Sequence, residues 1–337
     1  MPGRVAPGYH RAVDAPTFDL PRFRLFEAPS PFHRLARFSA ALGGSVEVWV
    51  KREDLLPVAF GGNKLRNLEF HVGAALAAGA DSLITSGRRW SNHCRLTAAA
   101  GAMAGLEVHL VLSGPPVEPP GPGIRLAGLF GATVHQLAGA DREERTATVE
   151  RVAADLRAAG RRPHVIGVGG SGPVGAAGQV LAGLELAGQA RAAGIEPQLV
   201  VVPSATGGTQ AGLIVASRLA GVPERVLGAL VASPEAELRP SIESMVAALA
   251  AMTGANTGPA DVHLDATELG EGYGRPTAAA AEAAALLART EGILVDPIYT
   301  AKALALLVAG ARSGRLDGRT VVFWHAGGTP GLFEPLD

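Results

Sequence analysis

An α/β architecture of two parallel-sheet domains is what this 337-residue sequence predicts. Short β-rich runs alternate with longer Ala/Leu-rich helical stretches, the pattern of strands joined by crossover helices. There are too many such pairs for one sheet, and glycine-rich turns follow the strand ends, where open parallel sheets bind ligands.

In chain order, the strand candidates are VEVWV (46–50), SLITS (82–86), EVHLVL (107–112), TVHQL (133–137), HVIGV (164–168), QLVVV (198–202), RVLGAL (225–230) and VVFWH (321–325). The 3.6-residue period predicts helices over 64–79, 92–104, 142–159, 174–193, 209–220, 235–252, 277–291 and 300–313. SGPPVEPPGPG (113–123) follows a strand and precedes a short helix, so it reads as a long surface connection inside a domain. Within 277–291, Glu282 and Arg289 interrupt the apolar residues as a packed amphipathic helix requires.

Composition narrows the function. A 47% apolar, 18% charged chain buries substantial cores, and a net charge of −1 gives no field for nucleic acid or an anionic membrane. The expected partner is a small molecule. One cysteine, Cys94, excludes an internal disulfide framework, and no two histidines stand at i,i+4, so no metal is implied. The N-terminus lacks a signal-type apolar core and no segment offers an uninterrupted spanning run, so the expected location is cytoplasmic.

Of the thirty basic residues only Lys51, Lys64 and Lys302 are lysine. Guanidinium cannot be deprotonated in proteins, whereas an imine or a free amine at neutral pH needs Lys. Each surviving lysine therefore invites a specific question.

Four glycine-rich spots could cradle phosphate. In GGSGPVG (169–175), Gly170, Gly172 and Gly175 match a dinucleotide fingerprint, but the next strand ends in Pro203 and Ser204 rather than an acid for the ribose. SATGGTQAG (204–212) ends a strand and opens a helix, a place for a phosphate dianion on backbone N–H groups, or merely a tight βα turn. AFGGNK (59–64) puts Lys64 at a helix start, where the dipole lowers an ammonium pKa and favours imine formation; alternatively the side chain simply reaches water. HAGGTPG (325–331) repeats the strand, glycine and helix arrangement.

KREDLLPVAFGGNKLRNLEF (51–70) resembles the cofactor-lysine segment of the fold-type II pyridoxal-phosphate enzymes, in the D-cysteine desulfhydrase and 1-aminocyclopropane-1-carboxylate (ACC) deaminase branch. SGRRWSNHCRLTAAAGAMAGL, VGGSGPVGAAG, SATGGTQAG, GYGRPT, RTEGILVDPIYTAKAL and FWHAGGTPGLF resemble further family blocks, in family order from about residue 20 onward. The resemblance implies a tryptophan synthase β-like fold, with residues 1–65 and 168–337 as a large cofactor-binding domain and 66–167 as a small inserted one. It implies pyridoxal 5'-phosphate between them, a small amino-acid substrate and a homodimer.

Carried over by position, the resemblance makes Lys64 the cofactor lysine and the base handling the substrate α-proton. Asn92 would bond the cofactor's phenolic oxygen, and Ala205, Thr206, Gly207, Gly208 and Thr209 would form the phosphate cup. Ser91, with backbone around Asn92 and His93, would hold the substrate carboxylate, while Tyr273 and Tyr299 match active-site tyrosines. Thr300 stands where the deaminase branch has a Glu facing the pyridine nitrogen. A hydroxyl there makes a weaker electron sink, suited to β-elimination from a good leaving group rather than cyclopropane opening.

Three departures bear on substrate. Asn67 replaces a phosphate-contacting Lys, so the cup and Arg66 would have to compensate. Arg88, Arg89 and Trp90 replace small residues and Gln before Ser91, and Ala326 replaces a larger residue. The two guanidinium groups favour a substrate with an additional anion, unless they are a solvated pair, and Trp90 could instead pack between domains. Cys94 reads as a small core residue, His93 and His325 as local structural histidines, and Glu53 and Asp54 as loop-ordering carboxylates. The expected reaction is α-proton abstraction and β-elimination to pyruvate and ammonia. Rivals are ACC deamination, β-replacement and a non-catalytic phospho-ligand binding protein.

Overall fold

The computed structural model describes residues 18–139, 141–222 and 225–336. The expectation that the N-terminus lacks a signal-type apolar core rests largely on 1–17, outside the described residues.

Two sheets organise the chain, with strands numbered in chain order. The larger runs β1 (Phe32–Arg34), β2 (Glu47–Arg52), β10 (Thr320–His325), β7 (Leu199–Ser204), β8 (Arg225–Leu230) and β9 (His263–Asp265) across its width. The smaller runs β5 (Thr133–Leu137), β4 (Glu107–Ser113), β3 (Ser82–Arg88) and β6 (Pro163–Val165). Every pairing is parallel except β1 on β2, where Phe32 stacks on Trp49 with centroids 5.0 Å apart.

The α/β expectation holds, with differences at the margins. β1, β9 and the short helix α1 (Ala36–Ala41) were absent from the sequence pattern, each being too brief to establish a period. HVIGV is strand only to Val165: Ile166 N–H adds one bond to Ile84 O, 2.8 Å, and then Gly169 and Gly170 turn the chain at positive φ.

β10 is buried on both faces, as a central parallel strand should be. Phe323 joins a core with α9 (Ala278–Glu291) and α10 (Thr300–Arg312). Its neighbour Trp324 joins the opposite core with α6 (Pro173–Ala192), α7 (Gly208–Ala220) and α8 (Glu235–Thr253). The smaller sheet packs on α2 (Lys64–Ala77), α3 (Asn92–Ala104) and α4 (Pro122–Leu129), with α5 (Arg142–Ala158) on its other face. Helix α2 enters both units: Leu65, Leu68 and Val72 go to the small-sheet core, while Phe70 goes to the large-sheet core. Leu25, Phe26 and Leu56, from outside 66–167, also join the small-sheet core. No helix among the described residues is long and apolar enough to cross a membrane.

Candidate active site

Loops leaving the carboxyl ends of β2, β3, β6, β7 and β10 are tied to one another by specific bonds. From the β2 loop, Asn63 N–H donates to Ala326 O of the β10 loop at 2.9 Å, and its side chain donates to Thr209 Oγ1 of the β7 loop at 2.7 Å. Ser171 of the β6 loop bonds Thr206 across 2.5 Å between hydroxyl oxygens. From the β3 side, Arg95 clamps the β2 loop by donating to Ala59 O, and it also reaches Asn92 Oδ1 at 3.2 Å.

The β2 loop needs that clamp. Ala59, Phe60, Gly61 and Gly62 all have positive φ, and two of these carry side chains that disfavour it. At Gly61 no other residue fits, since a Cβ would lie 2.2 Å from Asp54 O. Lys64 follows as the first residue of α2.

The three lysines have different surroundings. Lys51 is fully buried and donates to Glu185, to Gln189 at 2.6 Å and to Ser30 O at 2.9 Å. Lys302 is likewise buried and donates to Leu269 O at 2.7 Å and Gly272 O at 3.1 Å, fixing the turn that leads into Tyr273. Lys64 has no hydrogen bond or ion pair among the described residues, and desolvation pulls its pKa down to about 8. An amine so placed is a usable nucleophile and base near neutral pH.

The loop Ala205 to Thr209 has the properties of an anion cradle. Helix α7 begins at Gly208 with no side-chain cap, leaving first-turn N–H groups to an outside acceptor. Gly207, at φ 79°, is required because a Cβ would meet Ile242 Cγ1 at 2.4 Å. Thr206 and Thr209 are held by Ser171 and Asn63, as above.

Ser91 caps α3, accepting from Cys94 N–H at 3.3 Å. Asn92 Nδ2 lies beside Gly328, where a Cβ would approach it to 3.0 Å. His93 is buried; Thr85 Oγ1 donates to Ile166 O at 2.9 Å and so accepts from His93 Nε2, 3.0 Å away, leaving Nδ1 an unpartnered acceptor. Desolvation, then Lys64, holds its pKa well below the usual value, so the imidazole is neutral. Cys94 is buried, and burial pushes its thiol up to about 11, which makes it inert.

Trp90 packs across the cleft. Its ring lies 6.0 Å from that of Tyr273 and fills the space beside Gly274, where a Cβ would lie 2.6 Å from the indole. The Tyr273 and Tyr299 hydroxyls bond each other, and burial raises both pKa values. The two arginines before Trp90 part company. Arg89 is 1% exposed, lies 4.9 Å from the Trp90 ring, pairs with Glu334 at 3.5 Å and donates to Pro335 O, so it anchors the C-terminal segment behind the indole. Arg88 is half-buried, 5.0 Å from the Trp90 ring, with its Nε unpartnered.

Thr300 is fully buried and its hydroxyl is engaged: it donates to the Asp296 carboxylate and accepts from Asp296 N–H at 3.0 Å. One acceptor position is left, so any group facing it must donate. Asp296 also accepts from Ile298 N–H at 2.9 Å and Tyr299 N–H at 2.7 Å. Burial raises the Asp296 pKa against these bonds.

One expectation is corrected. Arg66 does not make up for the Lys replaced by Asn67; it is buried between Glu53, 2.9 Å, and Glu185, 2.8 Å. Asn67 itself faces inward, donating to Gly170 O at 2.9 Å and accepting from Gln179. Gly175 serves the same packing, since a Cβ there would lie 2.1 Å from Gly170 O and 3.0 Å from Asn67 Nδ2, whereas a Cβ at Gly169 would meet Thr206 of the cup at 2.8 Å. Sequence reasoning missed Asp296, Arg95 and Arg145. Only Asp296 had a local signal, an Asp-Pro pair with Thr four residues on.

The family described as "Pyridoxal-phosphate dependent enzyme" matches residues 23–327. A D-cysteine desulfhydrase of Salmonella choleraesuis (strain SC-B67) is 40% identical over 320 residues, covering 93% of this chain and 95% of the relative. One from Salmonella newport (strain SL254) is 39% identical over 319 residues, 93% of this chain and 95% of that protein. A solved ACC deaminase homologue superimposes with a TM-score of 0.86 at 32% identity, covering 94% of each chain. A solved threonine deaminase, from T.th., shares the fold at TM-score 0.64 and 23% identity, covering 89% of this chain and 92% of that one.

Proposed function

The chain belongs to the pyridoxal-phosphate dependent enzymes, and within that family we propose that it is a lyase removing a β-substituent from a small amino acid, with pyruvate and ammonia as products. The observation that carries this reading is Lys64, unpartnered among the described residues, with its pKa lowered to about 8 and one residue from the cup through Asn63.

The residues fit pyridoxal phosphate. The uncapped start of α7 and the loop from Ala205 to Thr209 would take the phosphate on backbone N–H groups, without a cation. Asn92 would bond the phenolic oxygen, and Lys64 would bear the aldehyde. Thr300, with the carboxyl of Asp296 behind it, would face the ring nitrogen. When bound, the cofactor supplies a conjugated acceptor for the electron pair left at the substrate α-carbon.

The protein's own groups do the rest. With its amine free, Lys64 would take the substrate α-proton. Ser91 and the N–H groups of Asn92 and His93, at the positive end of α3, orient the substrate carboxylate. Tyr273 and Tyr299 stay protonated because burial raises their pKa values, so they donate rather than repel as the leaving group departs. The unsaturated amine set free hydrolyses with one water to pyruvate and ammonia. Thr300 in place of a carboxylate supports elimination over ACC ring opening.

Two separate sheets support a large domain of 1–65 and 168–337 and an inserted one of 66–167, with Leu25, Phe26 and Leu56 of the first segment packing into the inserted unit's core. Exposed Leu129, Leu332 and Phe333 offer apolar surface for a homodimer, and a single buried free thiol accords with a cytoplasmic location. The deciding assay measures pyruvate, 2-oxobutyrate and sulfide from D-cysteine, L-cysteine, β-chloroalanine and ACC. Pyruvate with sulfide supports the reading; 2-oxobutyrate from ACC alone replaces it with deamination. Borohydride should fix a phosphopyridoxyl group to Lys64, and protein that stays colourless with added cofactor points to a silent binding protein.

A further inference from the structure

Trp90 is flanked by two guanidinium groups, of which one is compensated. Arg89, 4.9 Å from the ring, has Glu334. Arg88, on the same ring, has no ion pair among the described residues, and its Nε is buried without a partner. A second such cation stands next to it. Arg88 is in register with Ser113 of β4, and Arg145 of α5 donates to Ser113 Oγ at 3.0 Å. Arg145 is half-buried and also has no ion pair among the described residues.

Both lie against the loop that orients the substrate carboxylate. Ser113 Oγ donates to Gly87 O at 3.4 Å, and a Cβ at Gly87 would lie 2.8 Å from Ser91 Oγ. Arg88 acts electrostatically on Tyr273, and Arg145 on Cys94 of the same α3 turn. Desolvation, together with neighbours that include Arg88, lowers the Arg145 pKa. Arg66, which is buried, meets two carboxylates, and Arg95, buried without one, gives its donors to backbone carbonyls and Asn92. Two guanidinium groups left unbalanced at a cleft disfavour the protein alone and favour an anion between them.

We propose that Arg88 and Arg145 form an anion subsite beside Ser91, and that the substrate is a small amino acid whose β-carbon carries a second anionic group, a sulfonate or a phosphate ester. This rests on the lyase reading above. The step is balanced: Lys64 takes the α-proton, the Cβ–S or Cβ–O bond breaks with its electron pair leaving on sulfite or phosphate, and water converts the remaining unsaturated amine to pyruvate and ammonia. A neutral thiol substrate would leave both cations unbalanced.

The test uses the holoenzyme with both enantiomers of cysteate and O-phosphoserine, and with β-chloroalanine as the neutral comparison. Expected is a kcat/KM at least about tenfold higher for one anionic substrate, with Arg88→Gln and Arg145→Gln each lowering the anionic-to-neutral ratio about tenfold. Sulfite or phosphate release distinguishes the two anions. Equal kcat/KM for anionic and neutral substrates, or a ratio unmoved in both variants, overturns the proposal. Calorimetric titration with cysteate and alanine gives a second readout that needs no turnover. Tighter cysteate binding that Arg145→Gln removes supports the subsite, and equal binding sinks it. No pyruvate from any substrate would refute the lyase reading while the titration still decides the subsite.

Discussion

Two sets of cations are built from the same residue types to opposite ends. At α2, Lys51 and Arg66 meet Glu53 and Glu185, with Ser30 and Gln189 completing the bonds. Lys64, on the first turn of the same helix, and Arg88 and Arg145, beside Ser113, have no carboxylate among the described residues. Opposite charges in contact join α6 to α2 and β2. Arg95 and Lys302 also lack carboxylates among the described residues, but backbone carbonyls accept their hydrogen bonds. Whether the donors are satisfied within the protein, rather than burial or residue type, separates the framework from the site.

The comparison breaks most decisively at the two lysines. Lys64→Ala should cut pyruvate formation by roughly a hundredfold to ten-thousandfold, the range for a lost proton-transfer group, while circular dichroism stays that of the folded protein. Lys51→Ala should do the reverse, leaving Glu185 with one cation fewer and shifting the unfolding transition.

Arg66→Ala comes next. It strands Glu53, which is fully buried, and should cost about 3–5 kcal/mol in denaturant unfolding. An unchanged midpoint would mean that the paired cluster contributes nothing to the framework. The cap-like bond from Asn63 to Thr209 is smaller; Asn63→Ala should cost about 1 kcal/mol of stability and weaken cofactor binding, read by equilibrium dialysis.

The subtlest test concerns pH. In the cofactor-free protein Lys64 releases its proton at about 8, whereas in the unfolded chain it does so near 10.5. The unfolded state therefore holds more protons between those values, so this residue makes stability rise with pH across the window and contributes no slope below it. Comparing unfolding midpoints of the unmodified protein and Lys64→Gln between pH 7.5 and about 10 should show that rise only where the lysine is present. Cofactor uptake by the unmodified protein should likewise quicken as pH approaches about 8.

How much of this was legible in the sequence follows from the reach of each interaction. Lys64 stood out because Arg is the default cation, and the cup because SATGGTQ lies between a strand and a helix. Both are local features. Arg66 read as a helper for the phosphate since its partner Glu185 lies 119 residues away. Arg145 sits in REERTATVERV, which reads as a solvated helix face, and nothing in one dimension sets it opposite Ser113. Thr300 was found, but its bond to Asp296 depends on the tight turn through Pro297. Arg89 was grouped with Arg88 by adjacency, and both do reach the Trp90 ring; Glu334, which pairs with Arg89, lies at the far end of the chain.

Helix α2 also governs how the molecule comes apart. Its Phe70 is held in one core and its Leu65, Leu68 and Val72 in the other, so neither sheet can lose its packing while the helix stays intact for its neighbour. Two sheets with separate cores would ordinarily melt in two steps. Here the shared helix couples them into one cooperative unit, and calorimetry should find a single heat-absorption peak whose van't Hoff and calorimetric enthalpies agree.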